Sequence, residues 1–170
     1  MTGAPGISEA EWQALYRRLE KPLYNLAYRY VWQSHEAQDI LHDAFLQLWR
    51  RRERMLRATA DRYLWITVLN LCRKRRRWGR AKRFLQGDDE LHALEDAQSV
   101  EANAARTEQH SLLNQAIERL PEKLRTVLLL AEFSEMSYEA ISEMLSVPPG
   151  TVASRRHLAV KQLRVALQGE

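Results

Sequence analysis

Apolar residues recur along this chain at three- and four-residue intervals, and almost nowhere in alternation, so the pattern predicts helices throughout. Between Glu9 and Val31 the series Trp12, Leu15, Tyr16, Leu19, Leu23, Leu26, Ala27 and Tyr30 marks one helix face, with Pro22 placed to kink or divide it. A second helix is expected from a Ser34 cap through Arg51. Its inward stripe is Ala37, Ile40, Leu41, Ala44, Phe45, Leu48 and Trp49, which leaves Gln38, Asp39, His42, Asp43 and Gln47 outside. Residues 50–60 read as a basic connection. A third helix follows from about Asp61 to Arg77 or beyond, apolar first (Tyr63, Leu64, Trp65, Val68, Leu69, Leu71) and then basic, with Gly79 as a stop. Further on, Leu112, Leu113, Ala116, Ile117 and Leu120 mark a short helix. Pro121 opens the next, whose expected buried positions are Leu124, Val127, Leu128 and Ala131.

The stretch Ser137–Arg164 carries the clearest local signal. Ser137 suits an N-cap, because its hydroxyl can accept from a free amide of the first turn. Ile141, Met144 and Leu145 form a stripe, and Ala140 is small enough for a close helix crossing. Val147-Pro148-Pro149-Gly150 cannot continue that helix. Thr151 then caps a second one, with Val152, Ala159, Leu163 and Ala166 inward. Helix, tight turn and helix is the helix-turn-helix pattern, and the second helix carries Ser154, Arg155, Arg156, His157 and Lys161, donors suited to phosphates and major-groove base edges.

The predicted fold class is therefore all-α. Two small helical domains are expected, residues 9–80 and 110–168, joined by a linker over residues 81–109. Charge sharpens that division. The net charge of +4 hides a segment, residues 50–83, with fourteen Lys or Arg against two acids, and a following segment, residues 84–111, with seven acids against one Arg. A polyanion-binding surface followed by an acidic linker is the expected reading. One cysteine, Cys72, excludes an internal disulfide and a cysteine-rich zinc site and fits a reducing cytosol. No apolar run is long enough to span a membrane, and the first eight residues lack the form of a secretory signal.

The candidate chemistry is recognition of nucleic acid. Tyr63, Trp65 and Trp78 are interleaved with Arg62 and the five consecutive basic residues Arg73 to Arg77. Basic side chains neutralise phosphates, and aromatic faces stack on unpaired bases. His35, Asp39 and His42 share a helix face at spacings a metal could use, but no distal ligand is evident, so no metal and no other cofactor is expected. There is no glycine-rich phosphate loop, no catalytic carboxylate pair and no nucleophile motif, which argues against an enzyme and against a small-molecule substrate.

Four phrases, in order, carry a resemblance. Ala37-Gln38-Asp39-Ile40-Leu41-His42-Asp43-Ala44-Phe45-Leu46-Gln47-Leu48-Trp49-Arg50 is the first. Tyr63-Leu64-Trp65 through Asn70-Leu71, ending in the basic run, is the second. Leu120-Pro121-Glu122-Lys123-Leu124-Arg125 with Ser137-Tyr138-Glu139-Ala140-Ile141 is the third, and Pro148-x-Gly150-Thr151-Val152-x-Ser154-Arg155 the fourth. Together they resemble the extracytoplasmic function (ECF) sigma factors, small two-domain bacterial transcription initiation factors. That resemblance implies a cytoplasmic protein with core RNA polymerase, promoter DNA and an anti-sigma factor as partners. It implies polymerase docking by Gln38, Asp39, His42 and Asp43. Minus-ten recognition and melting would fall to Arg54, Arg62, Tyr63, Trp65, Asn70, Arg73, Lys74, Arg76 and Arg77. Minus-thirty-five reading would fall to Thr151, Ser154, Arg155, His157 and Lys161. The chain departs from the family pattern at Ala153, Arg156, Leu158, Val160 and Gln162. Arg156 and Leu158 look exchanged, and the recognition helix is less basic than usual. Two other readings compete: a stand-alone helix-turn-helix regulator that binds an operator, and a phosphodiester-processing enzyme built on the His35–Asp39–His42 face.

Overall fold

The computed structural model describes residues 6–86 and 104–168, all in helices and short connections among those residues. The acidic stretch read as the core of the linker lies outside them. The chain forms two compact units, residues 1–90 and 91–170.

The first unit contains α1 (Glu9–Val31), α2 (Ser34–Arg51), a 3-10 turn at Arg52–Arg54, and α3 (Arg57–Gln86). A capping box starts α1: the Ser8 hydroxyl accepts from the Glu11 amide while the Glu11 carboxylate accepts from the Ser8 amide, and that hydrogen bond holds the Glu11 carboxyl below its usual pKa. The helix runs through Pro22 without dividing and ends at Trp32, whose φ of 58° is the left-handed region that side-chain-bearing residues rarely adopt. Burial of the Trp32 indole beneath the Arg29 guanidinium accompanies that strained cap. Ser34 is the first residue of α2, and its cap position is Gln33, which makes no side-chain capping bond. The core is Leu15, Leu19, Leu23, Leu26 and Tyr30 of α1, Ile40, Leu41, Ala44, Phe45 and Leu48 of α2, and Ala60, Leu64, Trp65, Val68, Leu69 and Cys72 of α3.

Two expectations fail at α3. It begins at Arg57, inside the supposed connection, and passes Gly79 to reach Gln86, so the boundary placed at residue 80 falls within a helix. Nothing lies within 4 Å of where a Gly79 Cβ would be, so this glycine serves no close approach. Thirty residues at 1.5 Å each make α3 roughly 45 Å long. Among its described side chains the last buried one is Cys72. The basic end of the helix therefore stands clear of the core that orients it.

At the start of the chain, Ile7 is buried and its amide donates to the Arg52 carbonyl at 2.7 Å. A Cβ on Gly6 would lie 2.5 Å from the Glu53 Cα, so only glycine fits that crossing without a shift of backbone.

The second unit contains α4 (Ala104–Arg119), α5 (Glu122–Phe133), α6 (Tyr138–Leu145) and α7 (Pro149–Gln168). Here too a boundary moves, since α4 begins within the segment assigned to the linker. Val127, Leu128, Leu129 and Leu130 of α5 share the core with Ala116 and Ile117 of α4, Leu120 just after it, Ile141 and Met144 of α6, and Val152 and Ala159 of α7. Leu124 and Ala131, expected inside, are half-buried, and Ala140 and Ala166 are exposed, so Ala140 marks no helix crossing.

Arg125 holds this unit together in a way that apolar periodicity does not reveal. It is 3% exposed. Its Nε donates to the Ile117 carbonyl at 3.0 Å, its Nη2 to the carbonyls of Glu118 and Leu120, and its Nη1 to the Glu122 carboxylate at 3.2 Å. The Ile117 carbonyl also accepts from the Leu120 amide, and Leu120 lies just past α4, so one buried cation ties the end of α4 to the start of α5.

All five tryptophans lie in the first unit, which gives each unit its own signal. Arg125→Met should destabilise the second unit by about 3 kcal/mol, because it orphans buried acceptors. In urea its circular dichroism should fall early while tryptophan emission keeps the parent midpoint. Trp65→Ala should do the opposite, shifting the tryptophan-monitored transition of the first unit by about 3–5 kcal/mol, the cost of truncating a large buried aromatic.

Candidate nucleic-acid interface

On α3 the inward side is set by Ala60, Leu64, Trp65, Val68 and Cys72. Helical spacing then places Tyr63, Ile66, Asn70, Arg73 and Arg77 in one outward stripe, with Arg62 and Lys74 beside it, and all seven are exposed or half-exposed. Among the expected minus-ten residues, Tyr63, Asn70, Arg73, Lys74, Arg77 and Arg62 are thus brought to one face. Arg54 is exposed in the 3-10 turn just before the helix. Arg51 lies over the Tyr63 ring at 5.9 Å, so a cation already accompanies the aromatic that a base would meet.

Two expected residues turn the other way. Trp65 is 3% exposed and packs in the three-helix core, so it has no face to offer an unpaired base, and its assignment to DNA is corrected to packing. Arg76 is half-buried, with one guanidinium nitrogen enclosed, on the side of α3 that carries Trp65. Arg75 bridges to Glu36 at 3.7 Å and fastens the basic run to the start of α2. The five consecutive cations are therefore divided by the helix period: Arg73, Lys74 and Arg77 face outward, while Arg75 and Arg76 lean on the protein.

On α2, Gln38, Asp39, His42 and Asp43 are all exposed. Asp39 and Asp43 enter no ion pair among the described residues. Among those residues no group of three His, Cys, Asp or Glu side chains is arranged to hold a metal ion. Beside this face a cleft of about 300 Å³ opens between α1 and α2, walled by Trp12, Tyr16, Phe45 and Trp49 and bordered by His42 and Leu46. Trp49 and Phe45 pack edge to face on Trp12, with centroids 5.3 Å and 5.9 Å away, and Tyr16 stacks on it at 5.6 Å. The stripe pattern assigned these rings to the core. Their spacing on two helices hides the fact that large rings meeting at a helix seam leave an open socket.

In the second unit, Ser137 caps α6 as expected, its hydroxyl accepting from the Ala140 amide at 3.1 Å. The turn is residues 146–148, with Ser146 in the left-handed region at φ 54°. The Ser142 hydroxyl donates to the Val147 carbonyl at 2.6 Å, and the Val147 amide donates to the Ser142 carbonyl at 3.1 Å, which locks the turn. Helix α7 starts at Pro149, so Thr151 lies in its first turn instead of at the cap, and the Pro148 carbonyl accepts from the Thr151 and Val152 amides. Ser154, His157 and Lys161 are exposed on the side of α7 away from the buried pair Val152 and Ala159; Thr151 and Arg155 are half-exposed, with Arg155 three residues after Val152 and four before Ala159.

The departure at Arg156 now has a structural reason. Its Nε and Nη2 donate to the same Glu132 carboxylate oxygen of α5, at 3.0 and 2.7 Å. Hydrogen bonding to Glu132, with a further contribution from Tyr138, holds the guanidinium above its ordinary pKa. Arg156, expected among the donors for DNA, thus joins α7 to α5 while its side chain stays half-exposed.

Comparison with known proteins matches these two units in order. Residues 15–84 match sigma-70 region 2, and residues 110–163 match sigma-70 region 4. The chain is 32% identical over 167 residues to the RNA polymerase sigma-H factor of Pseudomonas aeruginosa, covering 91% of this chain and 84% of that one. It is 27% identical over 170 residues to the ECF RNA polymerase sigma factor SigL of Mycobacterium tuberculosis, covering 99% and 95%. With SigW of Bacillus subtilis the identity is 29% over 157 residues, covering 86% and 83%. The sigma factor RpoE from Bartonella quintana, solved in complex with the anti-sigma factor NepR, shares the fold with a TM-score of 0.69 over 95% of this chain and 98% of that one, at 20% identity. Two matched regions in family order, within relatives that span nearly the whole chain, show that it belongs to the ECF sigma factors, the subunits that direct RNA polymerase to particular promoters.

Proposed function

We propose that the first unit serves as sigma domain two and the second as sigma domain four. On this reading α2 docks on core RNA polymerase through Gln38, Asp39, His42 and Asp43. The outward stripe of α3, with Arg54 and Arg62, holds the unpaired strand of the minus-ten element. Helix α7 reads the minus-thirty-five duplex through Thr151, Ser154, Arg155, His157 and Lys161. The observation that carries the reading is the alignment on α3. Tyr63, Asn70, Arg73, Lys74 and Arg77 share an outward face of a helix whose opposite face is core. A base extruded from the duplex loses its stacking, at a cost of a few kcal/mol, and stacking on Tyr63 with phosphate contacts from the cations can offset it.

Docking rests on charge and shape together. Two exposed carboxylates that enter no ion pair among the described residues, beside an apolar socket, suit a basic helical surface that also presents an apolar side chain. The place of action is the cytoplasm, where polymerase and promoter meet, and among the described residues no helix is long and apolar enough to cross a membrane. The family consists of initiation factors without a reaction of their own, so the reading invokes neither substrate nor cofactor. An anti-sigma factor is the expected regulator. A stand-alone operator-binding regulator is not favoured, because it would need neither the α2 face nor the α3 stripe.

Tyr63→Ala should leave the first unit's stability within about 1 kcal/mol, as for a half-exposed side chain. It should slow open-complex formation in a stopped-flow assay more than it weakens closed-complex binding; equal losses in both steps would count against the stacking role. The double change Asp39→Arg and Asp43→Arg should keep the parent melting temperature within a few degrees. It should abolish co-purification with core polymerase and run-off transcription, and parent-level transcription by this variant would remove the docking assignment.

A further inference from the structure

Leu158 is 46% exposed on α7. It stands four residues after Ser154, seven after Thr151 and three before Lys161, so helical spacing sets it amid the side chains proposed to face DNA. The inward direction of α7 is fixed independently by buried Val152 and Ala159 and by the Arg156–Glu132 contact. Leu158 points away from all three. Its polar neighbour Ser154 already donates its hydroxyl to the Gly150 carbonyl at 2.8 Å, which leaves that oxygen as an acceptor. The centre of the proposed reading face is thus occupied by an apolar side chain that can neither donate nor accept.

Only one base presents an apolar group in the major groove, the C5-methyl of thymine. A guanine facing Leu158 would have its O6 and N7 acceptors dehydrated with no donor in return, whereas a thymine methyl would be sheltered from water. From this geometry we infer that Leu158 is a specificity-determining residue that selects thymine at one position of the minus-thirty-five element through its methyl group. The inference rests on α7 reading the upstream duplex, as proposed above. It adds the chemical identity of one base and the atom by which it is read. The value of burying one methyl corresponds to about fourfold in affinity.

The test uses the full chain assembled with core polymerase. Duplexes with a randomised upstream element and a constant minus-ten region are enriched on this holoenzyme. Each thymine of the enriched site is then replaced singly by deoxyuridine, which removes only the methyl. One replacement should weaken binding by the parent about fourfold and leave binding by Leu158→Ala unchanged. Leu158→Ala itself should melt at the parent temperature, since the side chain is exposed. Leu158→Arg should move the preference at that pair from thymine to guanine. An enriched site in which every deoxyuridine replacement is silent, or costs Leu158→Ala as much as the parent, overturns the assignment of Leu158 alone. So does loss of holoenzyme formation by Leu158→Ala with deoxyuridine silent, which would make the residue a protein contact. If no upstream sequence is enriched at all, the reading role of α7 falls together with it.

Discussion

Helix α3 has to satisfy two solvents at once, and the first unit is built around that requirement. One side from Ala60 to Cys72 must be dry enough to pack against α1 and α2. The other must stay wet and cationic to meet a polyanion. A helix can do both because its period keeps the two sets of side chains on opposite sides without any change of backbone. The same period explains why the basic run is not a uniform block. Arg75 and Arg76 fall toward the protein, where Glu36 receives one of them, and their neighbours fall outward. Burial of the first half orients the second: Asn70 and Arg73 flank the buried Leu69 and Cys72, and Arg77 follows little more than one turn later.

The second unit solves a different problem, how to hold a reading helix at a fixed angle with few buried residues on that helix. Only Val152 and Ala159 of α7 are fully buried. Polar attachments supply the remainder: Arg156 to Glu132 at one point, and the reciprocal Ser142–Val147 bonds in the turn at another. An exposed ion pair adds little stability, yet two donors meeting one carboxylate oxygen fix an orientation. This accounts for the exchange of Arg156 and Leu158 relative to the family pattern. The arginine has moved to a position where it braces the helix, and the leucine has taken the outward one.

Much of this was legible in the sequence because it rests on periodicity. The core stripes of α1 and α2, the Ser137 cap and the helix-turn-helix follow from spacing and turn chemistry. What periodicity missed has particular causes. Trp65 looked like a stacking residue because aromatic character is common to cores and base platforms, and only its neighbours in space decide between them. Gly79 looked like a stop, but a single glycine costs a helix only about 1 kcal/mol, which a long helix tolerates. Arg125 was invisible as a core residue because a charge is buried only where several acceptors converge, and those acceptors are backbone atoms that no sequence displays. Ala140 illustrates the reverse error, since a small residue is needed at a close crossing but does not imply one.

The clasp at the start of the chain bears on how the protein can be handled and how it can vary. Ile7 is sunk in the core, its amide bonded to Arg52, and Gly6 lies against the backbone of Glu53 with no room for a β-carbon. The turn that carries Arg54 and leads into α3 is thus tethered by residues far away in sequence. An affinity tag joined directly before Gly6 would sit at the doorstep of the turn that carries Arg54, whereas one placed after α7 would be distant from it along the chain. Among natural variants, a side chain at position 6 would have to be matched by a compensating change in the 52–54 turn, so these two short segments are expected to drift together.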